Sequence, residues 1–458
     1  MKITKKIFFL FLLTFVFHMP TFSQCDVSKW LNENVEKLTN IDPEKYLDSE
    51  LSFLKKAIGE KRIVMLGEEG HFDGQTLKAK AKVIKYLHEE MGYEVLLVER
   101  GFYEVNRVWQ DLLLEKNKSL YLFADLTTIF GYSVDLEKKN LFEYIAKTAK
   151  TAKPLRISGF DVFESSGFFY GIESELKALL EKHIPNLEKD TITYHATNGT
   201  TPDYENHGEK AIKSKIESLK IVIKRLEAIE SESMIDSIKL SELQFMIQAL
   251  RSVIHGEFSK NKITKKYKTK GRVTADIYTL RDKYMTENLI WYLDHYYKGK
   301  KIIISASTYH ISRNVDIIKP RPYFLGKDAI PMGHYLWKRY PDNIYSIAFL
   351  CYKGKRGIGG QPPQNRKLPK RNKKGIERKL HKLGIEYGFL NFRKLPNEID
   401  WFTNFYMLPT FIESYKANWK LIYDGVFFIN EMKPPEVHYL KDKKITPPYL
   451  PSNYKKKH

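Results

Sequence analysis

The chain has 458 residues, 43% hydrophobic and 14% aromatic, and its 76 Lys/Arg against 55 Asp/Glu leave a formal charge of +21. That much apolar and aromatic material excludes a disordered chain. Its two cysteines, Cys25 and Cys351, are too few for a disulfide scaffold or a cysteine-based metal site.

The first residues read as an export signal. Lys2, Lys5 and Lys6 precede an apolar run from Ile7 to Phe17, broken only by Thr14, and Pro20 follows. This is the layout of a secretory signal peptide, and the run is shorter than the about 20 residues a spanning helix needs. We expect residues 1–24 to be a signal peptide and 25–458 to form a single exported domain, periplasmic or secreted, with Cys25 as a candidate membrane anchor.

Periodicity then gives an alternating plan. Arg62 to Gly67 predicts a short buried strand, and residues 74–91 an amphipathic helix with Leu77, Ala81, Ile84 and Leu87 on one stripe. A second buried strand follows at Glu94–Glu99, helices at 103–115 and 137–150, and a third strand at Leu155–Phe160. Residues 205–258 carry long, charged helical periodicity, a helical insertion placed between core strands as a lid would be. A helix at 273–298 leads to strands at Lys301–Ala306, Asn343–Cys351 and Leu421–Ile429. Continuously apolar strands separated by helices predict an α/β fold with a mainly parallel central sheet flanked by helices. The segment 353–375, rich in Lys, Gly and Pro, predicts a basic surface loop.

The positive charge is concentrated. From Lys353 to Lys379 there are eleven Lys/Arg and one acid, Glu377, while Lys262–Arg272 and Lys455–Lys457 add more. Such runs are either an electrostatic footprint or solvated loops. They hold few interleaved aromatics, so we read solvated loops and no nucleic-acid partner. Peripheral contact with an anionic membrane surface stays open.

Ligands of open parallel sheets bind beyond the carboxyl ends of the strands. Glu68, Glu69 and His71 follow the first strand, and Glu99 ends the second. Asp161 follows the third, and Ser305, Ser307 and His310 surround the end of the fourth. Each alone has an ordinary explanation as a cap or turn. Converged, they cost stability unless they are used. His71, partnered by Glu68 or Glu99, has the chemistry of a general base on water. His310 or Lys80 has that of an oxyanion donor. No Gly-x-Ser-x-Gly elbow and no phosphate-binding glycine loop stands at a strand end, which disfavours a serine esterase and a nucleotide site. The Glu and His side chains also suit a divalent ion, so a metal stays open as an alternative; no other cofactor is called for.

Leu66-Gly67-Glu68-Glu69-Gly70-His71, then Lys80, Gly92-Tyr93 and Val98-Glu99, resembles the opening signature of the erythromycin esterase family. Ser158 to Val162, Arg281-Asp282 with Trp291, Ala306 to His310, Met332 to Leu336 and Tyr423 to Glu431 resemble its later segments in order. The resemblance runs from about residue 60 to about 432. It implies an α/β domain decorated with helices, and hydrolysis of a small-molecule ester, in the best-known members a macrolide lactone. It implies His71 as general base supported by Glu68 and Glu99, and His310 lining the same cleft. Lys80, Asp161, Ser307 and Arg281 fall at substrate-binding positions of that cleft. The sequence departs from the family at Ser307, which replaces the first of two histidines, at Lys80, which replaces an arginine, and at Gln75, which replaces a glutamate. A metal- or haem-binding protein on the same scaffold, without esterase activity, is the alternative.

Overall fold

The computed structural model describes residues 24–45, 48–113, 133–163, 166–183, 209–231, 237–270, 275–320, 329–358, 364–409 and 413–439. Residues 1–23 of the expected signal peptide and the tail lysines Lys455–Lys457 lie outside them.

The chain enters through α1 (Gln24–Asn34), β1 (Glu36–Leu38) and α2 (Ser52–Ile58). It then alternates through β2 (Ile63–Glu68), α3 (Gly74–Met91), β3 (Val95–Gly101), α4 (Phe102–Leu113), β4 (Ser133–Asp135), α5 (Leu136–Thr148), β5 (Arg156–Asp161) and α6 (Ser166–His183). Three long helices follow, α7 (Glu209–Glu230), α8 (Ser237–Lys270) and α9 (Ala275–Trp291). Next come β6 (Ile302–Ser307), the short α10 (Thr308–Ile311), α11 (Met332–Arg339), β7 (Ile344–Ile358), β8 (Gln364–Lys367), α12 (Ile376–Lys382) and β9 (Tyr387–Asn391). The last are β10 (Phe405–Met407), β11 (Tyr415–Ala417), β12 (Gly425–Met432) and β13 (Val437–Tyr439).

Among the described residues the main sheet has nine strands, in the order β1-β9-β12-β7-β2-β6-β3-β5, with β8 paired off β7. The centre is parallel: β2 pairs β6 and β7, β3 pairs β6 and β5, and β12 pairs β7. β9 and β1 add an antiparallel edge. Every residue of β2 is buried, as are Ile302–Ile304 of β6 and Ile344–Cys351 of β7. Strands covered on both faces need such continuous apolar runs.

From β2 the chain passes to β3 and β5, then returns to place β6 between β2 and β3. It next adds β7 on the other side of β2. That reversal puts a crevice at the carboxyl end of β2, the position where open α/β sheets bind ligands. Gly67 lets the crevice be lined closely. A Cβ there would lie 2.6 Å from Ile311 Cδ1 and 2.8 Å from Thr308 Cα, so glycine allows α10 to lie on the strand and carry His310 over its end.

Two expectations need correction. The helical insertion is α7 and α8, but α8 is no free flap. Phe245 stacks on Phe102 with centroids 5.2 Å apart, Gln248 donates to Asn288 at 2.9 Å, and Asn288 donates to the Phe160 carbonyl at 3.0 Å. Its buried Leu243, Met246, Ile247 and Leu250 extend the core, and that apolar face holds it in the helical layer. α8 also runs on to Lys270, so most of the basic run from Lys262 is helical. The second correction is 353–375, which among the described residues is not all loop. β7 continues to Ile358 and pairs antiparallel with β8, Arg356 facing Arg366 in register. Two of its arginines, Arg356 and Arg371, turn inward and are buried because buried carboxylates await them. No helix among the described residues is long and apolar enough to cross a membrane.

Candidate active site

The carboxyl ends of β2, β3, β5 and β6 deliver Glu68, Glu99, Asp161 and Ser307, and α9 and α10 add Arg281, Asp282 and His310. α3 sends Lys80 back toward Glu68. Lys80 is buried and pairs with Glu68 Oε2. Oε1 of the same carboxylate lies 3.1 Å from His71 Nδ1. The carboxylate therefore fixes the His71 tautomer, with Nδ1 carrying the proton donated to Glu68 and Nε2 left unprotonated. His71 keeps 37% of its side chain exposed, and among the described residues Nε2 has no hydrogen-bond partner.

Glu99 is the hub of a second layer. Arg281 Nη2 donates to its Oε1 at 3.0 Å, His310 Nε2 stands 3.1 Å from the same oxygen, and the Ser307 backbone N–H donates to Oε2 at 2.9 Å. Arg281 also grips Asp161 with two prongs, Nε to Oδ1 at 3.1 Å and Nη2 to Oδ2 at 2.6 Å. Asp282 Oδ1 accepts from His310 Nδ1 at 2.7 Å and from the Met332 backbone N–H at 2.7 Å.

These contacts set the protonation states. Burial pushes the Glu68 carboxyl up, but the Lys80 charge and the His71 hydrogen bond reverse this and leave it below its ordinary value. Burial likewise opposes ionisation of Glu99, and His310 and Arg281 overcome it, holding Glu99 well below the usual carboxylate range. Burial disfavours charge on His310, yet Asp282 and Glu99 raise it to about 10, so it is an imidazolium at neutral pH. Burial lowers and Glu68 and Glu99 raise the His71 imidazole, with a net rise above the ordinary 6.5. His71 is thus the partly exposed imidazole of the cluster, with its pKa above the ordinary value.

A cavity of about 100 Å³ adjoins the cluster. Glu68, His71, Lys80 and Glu99 belong to its polar lining, with Arg100, Glu137, Lys138 and Ser305, and Leu77, Ile84, Val98, Leu141 and Phe142 form its apolar lining.

One carboxylate oxygen each of Glu68 and Glu99 and a nitrogen of His71 lie within 4.8 Å of one another, close enough to suggest a cation site. The surroundings do not fit a divalent ion. Lys80, Arg281 and the His310 imidazolium already balance these carboxylates, and a dication would stand beside the buried Lys80 ammonium.

All eight sequence-derived site residues meet here. His71, Glu68, Glu99 and Lys80 line the cavity, whereas His310, Arg281 and the Ser307 N–H hold Glu99 and Asp161 holds Arg281. Ser307 serves through its backbone N–H rather than a side-chain contact. Sequence reasoning gave no role to Asp282, the partner that orients and charges His310. Its place next to Arg281 on a helix was the available signal. Glu69 was seen, but its arginine partners were taken for loop residues.

Residues 88–430 match the family described as erythromycin esterase, so the match begins beyond the segment that carries Glu68 and His71. The chain is 27% identical over 331 residues to the protein named "Putative hydrolase YbfO" of Bacillus subtilis (strain 168), covering 71% of this chain and 72% of that one. It is 23% identical over 425 residues to erythromycin esterase type II of Escherichia coli, covering 84% and 93%. A crystallised erythromycin esterase mutant in its open conformation superposes with a TM-score of 0.67 over 87% of this chain and 98% of that one. At 16% identity that likeness speaks for the fold alone.

Proposed function

The chain belongs to the erythromycin esterase family of hydrolases, and from that premise we propose that it cleaves a carboxylic ester with water activated by His71. One observation carries the reading: His71 is tied through Nδ1 to a charged carboxylate, and among the described residues its Nε2 has no protein partner, at the edge of a half-apolar cavity. Water between Nε2 and the substrate carbonyl gives its proton to Nε2 as its oxygen adds to the carbonyl carbon. The Lys80 ammonium, on the same wall, meets the negative charge that develops on the carbonyl oxygen. Glu68 and Glu99 stabilise the imidazolium formed. As the tetrahedral intermediate collapses, the C–O bond breaks and His71 returns the proton to the leaving alkoxide, releasing acid and alcohol. His310, Arg281 and Ser307 act by fixing Glu99, and Asp161 by fixing Arg281. We further propose export, on the pattern of residues 1–24, and a macrolide lactone as the first ester to try.

The test is mass spectrometry of a panel of esters, headed by a 14-membered-ring macrolide, incubated with the protein and with His71→Ala and Glu99→Gln. Gain of one water by a substrate is expected. A fall of about 10²–10⁴-fold in kcat in each variant is expected at unchanged circular dichroism, the contribution a positioned base makes. Turnover kept in both folded variants overturns the mechanism.

A further inference from the structure

The loop that carries His71 is gripped from behind by side chains with no part in the proposed reaction. Residues 69–73 connect β2 to α3. Glu69, the first residue past β2, turns from the cleft and meets Arg371, whose Nη2 donates to Oε1 at 2.7 Å and Oε2 at 2.9 Å. Arg356 brings Nη2 to 3.4 Å from Glu69 Oε1, donates to Asp73 Oδ2 at 3.2 Å and sets Nε 3.1 Å from Oδ1. Its guanidinium lies against Gly70, where a Cβ would stand 3.0 Å from Nη1 and 3.1 Å from Cζ. The Gly357 N–H donates to the Phe72 carbonyl at 3.0 Å. Cys351 donates to Glu69 Oε2 at 3.0 Å and accepts from Arg371 at 3.0 Å. Glu69, Asp73, Arg356, Arg371 and Cys351 are all buried. Glu69, Phe72 and Asp73 are therefore held by β7 or the stretch after β8, and Arg356 lies against Gly70.

We propose that Arg356 is a positioning residue for His71, its fork fixing the loop so that the imidazole meets Glu68. The inference rests on the reading of His71 as the base. Buried ion pairs are a weak source of stability, and apolar packing would serve a purely structural purpose as well. What a guanidinium fork adds is direction. The contact it protects is single and short, Nδ1 to Glu68 at 3.1 Å, and misplacing a reacting group by about 1 Å can cost about 10²-fold in rate.

Two variants test it. Arg356→Lys keeps the charge and loses the fork. Gly70→Ala keeps Arg356 but presses it away by a few tenths of an ångström. In both, kcat is expected to fall about 10–100-fold with KM within about threefold, the scale of lost support behind a reacting residue. NMR titration of the His71 ring, assigned by its disappearance in His71→Ala, is expected to move down toward the ordinary value as the raising contact with Glu68 loosens. The NMR readout needs no substrate. If His71→Ala keeps turnover, the hydrolytic reading fails, yet the titration still decides the positioning. A His71 titration unmoved in the folded variants overturns the proposal. If Arg356→Lys does not fold, the same readouts in Gly70→Ala decide it.

Discussion

At the end of β2, Glu68 and Glu69 are both buried and both paired with cations, yet their surroundings differ. Glu68 meets the point charge of Lys80 and shares its other oxygen with a partly exposed histidine. Glu69 meets two arginines and a thiol, all buried. An ammonium on a flexible stem leaves an oxygen of its partner free to act on a third group, whereas Arg371 Nη2 engages both oxygens of Glu69 and Arg356 adds to Oε1. Two adjacent residues where β2 gives way to the loop thus divide the two tasks, with proton chemistry on the cleft side and rigidity on the other.

The largest expected effect breaks this comparison in stability. Glu69→Gln leaves Arg371 without its charge partner in a buried site, and removing one partner of such a pair costs about 3–5 kcal/mol. Glu68→Gln keeps an acceptor for Lys80 beside the cavity and the Glu99 charge, so it is expected to cost about 1–2 kcal/mol. Urea unfolding of both variants measures the difference. Equal losses would show that the two glutamates are structurally alike.

Activity should rank the same pair in reverse. Glu68→Gln is expected to lower kcat about 10²-fold, more than Glu69→Gln does, because it removes the group that orients the base. The pH profile sharpens the point. A base acts deprotonated, and the His71 pKa lies above the ordinary 6.5, so the acid limb of kcat/KM should have its midpoint above 6.5. In Glu68→Gln the raising contact is gone and the limb should move to lower pH. The alkaline limb should fall near pH 10, where His310 loses the charge that holds Glu99. An acid limb unmoved by Glu68→Gln would assign it to another group.

Much of this was legible in the sequence. Strand ends ranked Glu68, His71, Glu99, Asp161 and His310 together because a parallel sheet gathers its carboxyl ends. The α3 boundaries read from periodicity coincide with those observed, Gly74–Met91. The antiparallel edge strand β9 and the β7–β8 hairpin were missed for a physical reason. Charged residues over 353–375 resemble a solvated loop in any local window, and only burial of the distant Glu69 and Asp73 explains Arg371 and Arg356. Asp282 was missed likewise, because its partner His310 lies on a different element. Periodicity reports which face of an element is apolar, not which charged side chains will find one another.

The smallest expected effect concerns a third carboxyl near Arg371. Glu377 opens α12, is buried, and accepts from the Leu408 N–H at 2.6 Å. Burial raises its pKa to about 7 against the lowering charge of Arg371, which is already taken up by Glu69. The folded state therefore binds this proton more tightly than the unfolded chain, whose carboxyl titrates near the ordinary 4.5. Its stability contribution is full below about 4.5 and is lost as pH rises through about 7. Glu377→Gln keeps an acceptor for Leu408 and removes the titration, so stability at neutral pH should change by no more than about 1 kcal/mol. Urea unfolding at about pH 5 and about pH 8 should show a smaller loss with rising pH in the variant than in the parent. Some loss will remain, because Asp73, raised to about 7 by burial, titrates in the same direction. An unchanged slope would mean that Glu377 stays ionised throughout. The arginines behind β2 would then have positive charge to spare beyond Glu69, and the clasp would be less finely balanced than the cleft it supports.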